Sequence, residues 1–304
     1  MKPYVMALTA ALILLLAGAG FAGEAENPRT LVDQTGRSVR VPAMPRRVVA
    51  LAPSITEIIY ALECEERLKG VTRFSDYPEA ARSLPRVGSY VNLDLEKIVA
   101  LNPDVCIAIK DGNPESIVRR LEALDIPVFA VNPRGMETVV AAVEHIGALM
   151  GAQSRAQAIV RDMKARIAAV EKKVSRIDTR PRVFFQIGIS PIVSAGSDTF
   201  IHELIVKAGG RNIAGKYTSY PRFSKEEVLE LAPDIVIITS MARQEIFERV
   251  RAEWQKWERI PAVAQNRIHL IDSNVVDRPT PRLVDGLERL ARLIHPELFE
   301  AESK

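Results

Sequence analysis

Two Rossmann-like α/β lobes, each with a mainly parallel sheet, are predicted from three features of the sequence. Short apolar runs alternate with helical patterns, one helix-to-strand unit occurs twice, and a long segment without glycine or proline separates the two occurrences. Strands alternating with helices imply parallel pairing through crossovers. The expected organisation is a leader at residues 1–22, an N-terminal lobe at 23–151, an interlobe helix at 152–178 and a C-terminal lobe at 179–304.

The chain opens with one positive charge in Met1-Lys2-Pro3, an apolar run from Val5 to Ala17, and small residues from Gly18 to Gly23. That order describes a secretory signal peptide cut after Ala22, too short to favour a permanent membrane span. No cysteine follows the run, so no lipid anchor is expected there. The same stretch spells G-x-G-x-x-G but neither follows a strand nor opens a helix, so it is not a dinucleotide site.

In the first half, Arg47–Ala52, Val105–Ile109 and Pro127–Val131 read as buried strands, and Pro53-Ser54-Ile55-Thr56-Glu57 leads into a helix through Leu62. The second half repeats this logic. Arg182–Ile187, Ile235–Thr239 and Ile268–Ile271 read as strands, and Thr199–Ala208 as a helix stopped by Gly209-Gly210.

The repeated unit is EKIVALNPDVCIAI from Glu96 and EEVLELAPDIVIIT from Glu226, aligned without a gap at an offset of 130 residues. Ser224 and Glu227 have the spacing of a capping box. Pro233 ends the helix because the residue before proline avoids helical dihedrals. Spacing alone also suits an ordinary helix-to-strand junction.

Between the halves, Ile159, Met163, Ile167, Val170, Val174 and Ile177 recur at three and four residues within Ser154–Ile177. This predicts one amphipathic helix, about 35 Å long. Flexible linkers use glycine, serine or proline, so a stiff strut with little hinge closure is expected.

A formal net charge of +3 with 26% charged residues offers no basic excess for neutralising phosphates, which argues against nucleic acid. Cys64 and Cys106 are expected as two buried thiols rather than a bridge, which would need a specific close geometry. His145, His202, His269 and His295 are scattered without metal-ligand spacing. Neither a G-x-S-x-G elbow nor a phosphate loop is present. A binding protein therefore fits better than an enzyme; the reading from another class is an exported metal-dependent enzyme whose ligands converge only in the fold.

RVVALAPSITEI, Ser75-Asp76-Tyr77-Pro78, LEKIVALNPD, Gly112-Asn113, VFFQIGISPIVSAG, SKEEVLELAPDIVIIT and DRPTPR occur in that order. Together they resemble the long-helix class of periplasmic substrate-binding proteins of ABC importers, which take up cobalamin, iron-siderophores and haem, and most closely its cobalamin-binding branch. The resemblance implies a monomeric receptor without a cofactor of its own. It implies a large chelate ligand, a corrinoid or an iron chelate, held between the lobes with little closure. The implied partner is an inner-membrane permease dimer with its ATPase subunits, and Glu96 and Glu226 match the two glutamates that meet permease arginines. Position by position, the ligand pocket falls on Ser54, Phe74, Tyr90, Ile109, Ile187, Tyr220, Asn274 and Arg278. The sequence departs from the cobalamin branch at Ile109, Ile187, Val275 and Val276, where aromatics are expected, and at Asn274, where an aspartate is. A plainer pocket follows.

Overall fold

A computed structural model describes residues 27–240 and 244–299. The signal peptide read at residues 1–22 lies outside the described residues.

An antiparallel hairpin, β1 (Arg29–Val32) and β2 (Ser38–Val41), precedes the first lobe. The lobe runs β3 (Val48–Ala50), α1 (Pro53–Ala61), β4 (Leu68–Gly70), α2 (Leu95–Ala100), β5 (Val105–Ile109), α3 (Glu115–Glu122), β6 (Val128–Val131) and α4 (Met136–Met150). Then comes α5 (Gln153–Val174). The second lobe runs β7 (Arg182–Gln186), β8 (Gly188–Ile189), β9 (Ile192–Val193), α6 (Phe200–Lys207), β10 (Arg211–Asn212), β11 (Arg222–Phe223) and α7 (Lys225–Leu231). It closes with β12 (Ile235–Ser240), α8 (Gln244–Gln255), α9 (Pro261–Ala264), β13 (Ile268–Asp272), α10 (Ser273–Val276) and α11 (Leu283–Ile294).

Each lobe has a four-stranded parallel sheet, ordered β4-β3-β5-β6 and β10-β7-β12-β13. The two orders are equivalent when the strands are matched by their place in each lobe. The extra elements that periodicity did not predict, the first hairpin, β4, β10 and the small β11-β9-β8 sheet, are two to four residues long. Runs that short leave no readable alternation.

The repeated unit is a structural device. Asp94 caps α2 by accepting from the Lys97 amide at 3.1 Å, and Ser224, 130 positions later, caps α7 from the Glu227 amide at 3.2 Å. Glu227 returns a bond to the Ser224 amide, completing the expected capping box. Each helix stops just before its proline with a left-handed residue, Asn102 at φ +45° and Ala232 at φ +41°. The aspartate after each proline then fastens the first strand of its lobe: Asp104 accepts from the Arg46 and Arg47 amides, Asp234 from the Arg182 amide. Arg47 and Arg182 in turn donate to carbonyls at the ends of these helices, Leu101 and Leu231 among them. In both lobes an aspartate and an arginine, each bonded to backbone groups, thus tie helix end to strand start.

Strand residues alternate between two cores. Val48, Val105, Ile107, Phe129 and Val131 of the first sheet and Val183, Phe185, Ile235 and Ile237 of the second share one continuous apolar cluster with α4, α5, α6 and α11. The intervening residues, such as Cys106 and Val128 or Phe184 and Val236, face a separate core in each lobe. Both cysteines are buried and free, and burial raises the Cys106 thiol to about 12.

Helix α5 buries Ala156, Val160, Met163, Val170 and Val174 in the shared core. Gly147 of α4 lies so close to it that an added Cβ would sit 2.4 Å from the Ala156 methyl. Arg166 pairs with Asp285 at 2.6 Å and Glu288 at 2.8 Å on α11. The helix ends at Val174 rather than Ile177, where the Ser175 hydroxyl bonds back to the Lys172 carbonyl. It is stiff because it is packed along its length. Replacing Met163, 1% exposed, with Ala is expected to lower unfolding free energy by about 2–5 kcal/mol, and Lys164→Ala by less than about 0.5 kcal/mol, both read from urea titrations.

Candidate ligand-binding site

The residues singled out from sequence collect at the carboxyl ends of the parallel strands. Ser54 lies in the first turn of α1 after β3, Ile109 ends β5, Ile187 follows β7, and Asn274 and Arg278 follow β13. In open α/β sheets this is where ligands bind. Ser54 is buried, and Ile109, Ile187 and Asn274 are half-buried. Val275 and Val276 point into the shared core, so these two departures fill the interior instead of the pocket wall.

The aromatic residues behave differently. Among the described residues the exposed aromatics are Phe74, Tyr77, Tyr90, Tyr217 and Tyr220, all on loops. Asn113 fixes Tyr90: its Nδ2 donates to the Leu51 carbonyl at 2.8 Å and the Tyr90 carbonyl at 2.7 Å, while its Oδ1 accepts from the Ile109 amide. Gly112, at φ +140°, lets the ring close over the backbone, since an added Cβ would stand 2.8 Å from a ring carbon. Those contacts explain the Gly-Asn pair. In the second lobe the Tyr217 ring meets Phe223 edge-on at 5.2 Å, and the Ser219 amide donates to Asp198.

Opposite lobes meet here. Although half of Tyr220 is exposed, desolvation of its hydroxyl by neighbouring atoms chiefly, then Asp277, Asp111 and Tyr90, push that hydroxyl upward, so residues of both lobes lie near one phenol. Arg134, after β6, pairs with Asp111 at 2.9 Å. Glu203 of α6 accepts from the Met136 amide at the start of α4, crossing between lobes.

The strongest crossing centres on Glu57. Its carboxylate, 3% exposed, accepts from Arg278 at 3.0 Å and from the Arg282 Nε at 2.9 Å. Arg278 also pairs with Asp76 at 2.9 Å and donates to the Phe74 carbonyl at 3.2 Å. The Arg282 guanidinium stacks on the Tyr77 ring at 3.5 Å. Sequence reading placed Arg278 at the ligand rim but missed its partners, because glutamates near helix starts are ordinarily solvated. The available signal was a single carboxylate within the apolar Ile55–Ile59 stretch and two arginines four apart in DRPTPR.

Beside this cluster, Asp277 receives a bond from the Thr239 hydroxyl through one oxygen, while its Oδ1 is buried without a hydrogen-bond partner among the described residues. Burial raises its pKa to about 6. Two concave cavities lie elsewhere: about 390 Å³ beside Glu203 and Lys207, and about 320 Å³ beside Trp254 and Trp257. No group of three or more His, Cys, Asp or Glu suited to a metal occurs among the described residues. The His145 ring bonds the Ala141 carbonyl within its helix, and His202 bonds Asn212.

Two parallel-sheet lobes fused through a long helix, with aromatic loops at their facing strand ends, define a two-lobed solute-binding protein. Residues 48–275 match the periplasmic binding protein family, and the chain belongs to it. That family consists of binding proteins rather than enzymes. The chain is 30% identical over 279 residues, 90% of its length and 87% of the relative's, to an uncharacterized ABC transporter substrate-binding lipoprotein of Bacillus subtilis. It is 29% identical to a vitamin B12-binding protein of Vibrio parahaemolyticus, over 79% of this chain and 86% of that one. A periplasmic haem-binding protein from Roseiflexus superposes with a TM-score of 0.76 at 25% identity, over 83% of this chain and 99% of that one.

A raised Asp277 pKa gives a definite sign. The unfolded carboxyl loses its proton near the ordinary value of about 3.9, whereas the folded one holds it to about 6. Between these limits the folded state binds more protons, so this group makes stability fall as pH rises. Thermal melts from pH 4 to 7 should show Asp277→Asn with a less negative slope than wild type; parallel curves would refute the assignment.

Proposed function

We propose that this protein is an exported receptor that binds a corrinoid between its lobes and delivers it to an ABC importer. The observation that carries this reading is the concentration of exposed aromatic rings on facing loops. Rings cover a large flat macrocycle with few torsions to freeze, and an exposed apolar patch on a water-soluble surface marks a binding site. The Vibrio relative's name points to the same ligand class. Phe74, Tyr90 and Tyr220 supply the stacking surfaces, with Ser54, Ile109, Ile187 and Asn274 as the floor. Haem is the second reading, favoured by the Roseiflexus likeness and by the Tyr90 and Tyr220 hydroxyls as axial ligands.

Delivery rests on Glu96 and Glu226. Both are exposed, both occupy the first turn of equivalent helices, and neither carboxylate has an ion-pair partner among the described residues. Two free acids related by the internal repeat suit a permease made of two like subunits. Each contact is modest in energy, yet the pair sets orientation and encounter rate.

Calorimetric titration of the purified protein with cyanocobalamin, cobinamide, haemin and ferric siderophores tests the ligand. Corrinoid binding is expected at micromolar or lower concentration; binding of haemin alone would transfer the reading to haem. Tyr220→Ala should weaken the preferred ligand by roughly tenfold. Charge reversal of both docking acids, Glu96→Lys with Glu226→Lys, should cut uptake through the importer at unchanged ligand affinity; normal uptake by that variant would remove the docking role.

A further inference from the structure

We propose that Glu57 determines the specificity of the cleft by withholding Arg278 and Arg282 from ligand carboxylates, so that amide-edged ligands are favoured over carboxylate-edged ones. This rests on the interlobe reading of the site. Arg278, carried over as a donor to the ligand rim, reaches across the seam and is answered on two sides by Glu57 and Asp76. Arg282 is held by the second Glu57 oxygen at 2.8 Å and by the Tyr77 face at 3.5 Å. Two guanidiniums therefore meet two carboxylates, and the fixed charge of the cluster cancels.

The remaining fixed groups at the junction are not cationic in excess. Arg134 is engaged by Asp111, and Asp198 lies near enough to raise its pKa further. Asp277 adds a buried oxygen with no donor. A ligand carboxylate would meet this junction without a guanidinium free to receive it, whereas an uncharged amide needs none. Arg73, Lys110 and Lys216 are exposed on nearby loops, but solvated charges attract far less than desolvated ones. Glu57 is the controlling member because it alone touches both arginines and is itself buried.

Glu57 acts through the arginines and is a positioning residue. The test compares two forms of one ring: dicyanocobinamide, whose edge bears amides, and dicyanocobyrinic acid, whose edge bears carboxylates. Wild-type protein is expected to prefer the amide form by about tenfold or more, and Glu57→Gln, which releases guanidinium charge, to shrink that ratio by about tenfold. The gain should be in cobyrinic acid affinity and should diminish with added salt, which loss of packing alone would not produce. If Glu57→Gln does not fold, Asp76→Asn frees the same Arg278 from a half-exposed position and should shift the ratio in the same direction. An unchanged ratio in a folded variant overturns the specificity role while leaving the corrinoid reading intact. Wild-type protein that binds neither ring overturns the corrinoid reading and this inference together.

Discussion

One apolar core shared by both sheets is the constraint on which the rest of the molecule depends. The inward residues of β3, β5 and β6 and those of β7 and β12 belong to the same cluster, joined by α4, α5, α6 and α11. Separating the lobes would divide this continuous cluster and uncover part of its apolar surface, at about 25 cal/mol for every Å² uncovered. Hinge closure of the kind seen where a flexible linker joins two bodies is therefore opposed.

Polar contacts then set the alignment of lobes that the apolar core holds together. Glu57 and Glu203 lie in the helices that follow the first strand of each sheet, and each reaches the opposite lobe: Glu203 at the start of α4, Glu57 on the segment between α10 and α11. The reciprocity follows from the internal repeat, but the chemistry has diverged. Glu203 accepts from a backbone amide, whereas Glu57 neutralises two arginines. Buried ion pairs contribute little net stability and much dependence on geometry. Such a cluster suits a place where register between two bodies decides which ligand groups are received.

Divergence also marks the two lobes' surfaces. The helices bearing Glu96 and Glu226 remain equivalent down to their caps, their left-handed ends and the aspartates that fasten the neighbouring strand. The segment after the first strand does not: β3 leads directly into α1, while β7 leads into the β8–β9 hairpin before α6. The helix-to-strand unit thus keeps the approximate symmetry of the two lobes, and the connection after the first strand breaks it.

Sequence alone determined the class of fold, most strand positions, the capping box and the two equivalent helices, because periodicity, caps and prolines act within a few residues. Val105–Ile109 was legible as a strand from its unbroken apolar run, and the long helix from its recurring Ile, Met and Val. The positions of Phe74, Tyr90, Tyr220 and Arg278 were legible only through resemblance to a family. What the tertiary structure decided is who meets whom. Glu57 and Arg278 are 221 residues apart, and Val275 could equally have lined a pocket until the fold turned it inward. Local rules carry no information about such pairs, since a buried charge is selected by its partner's position in space and not by its neighbours in the chain.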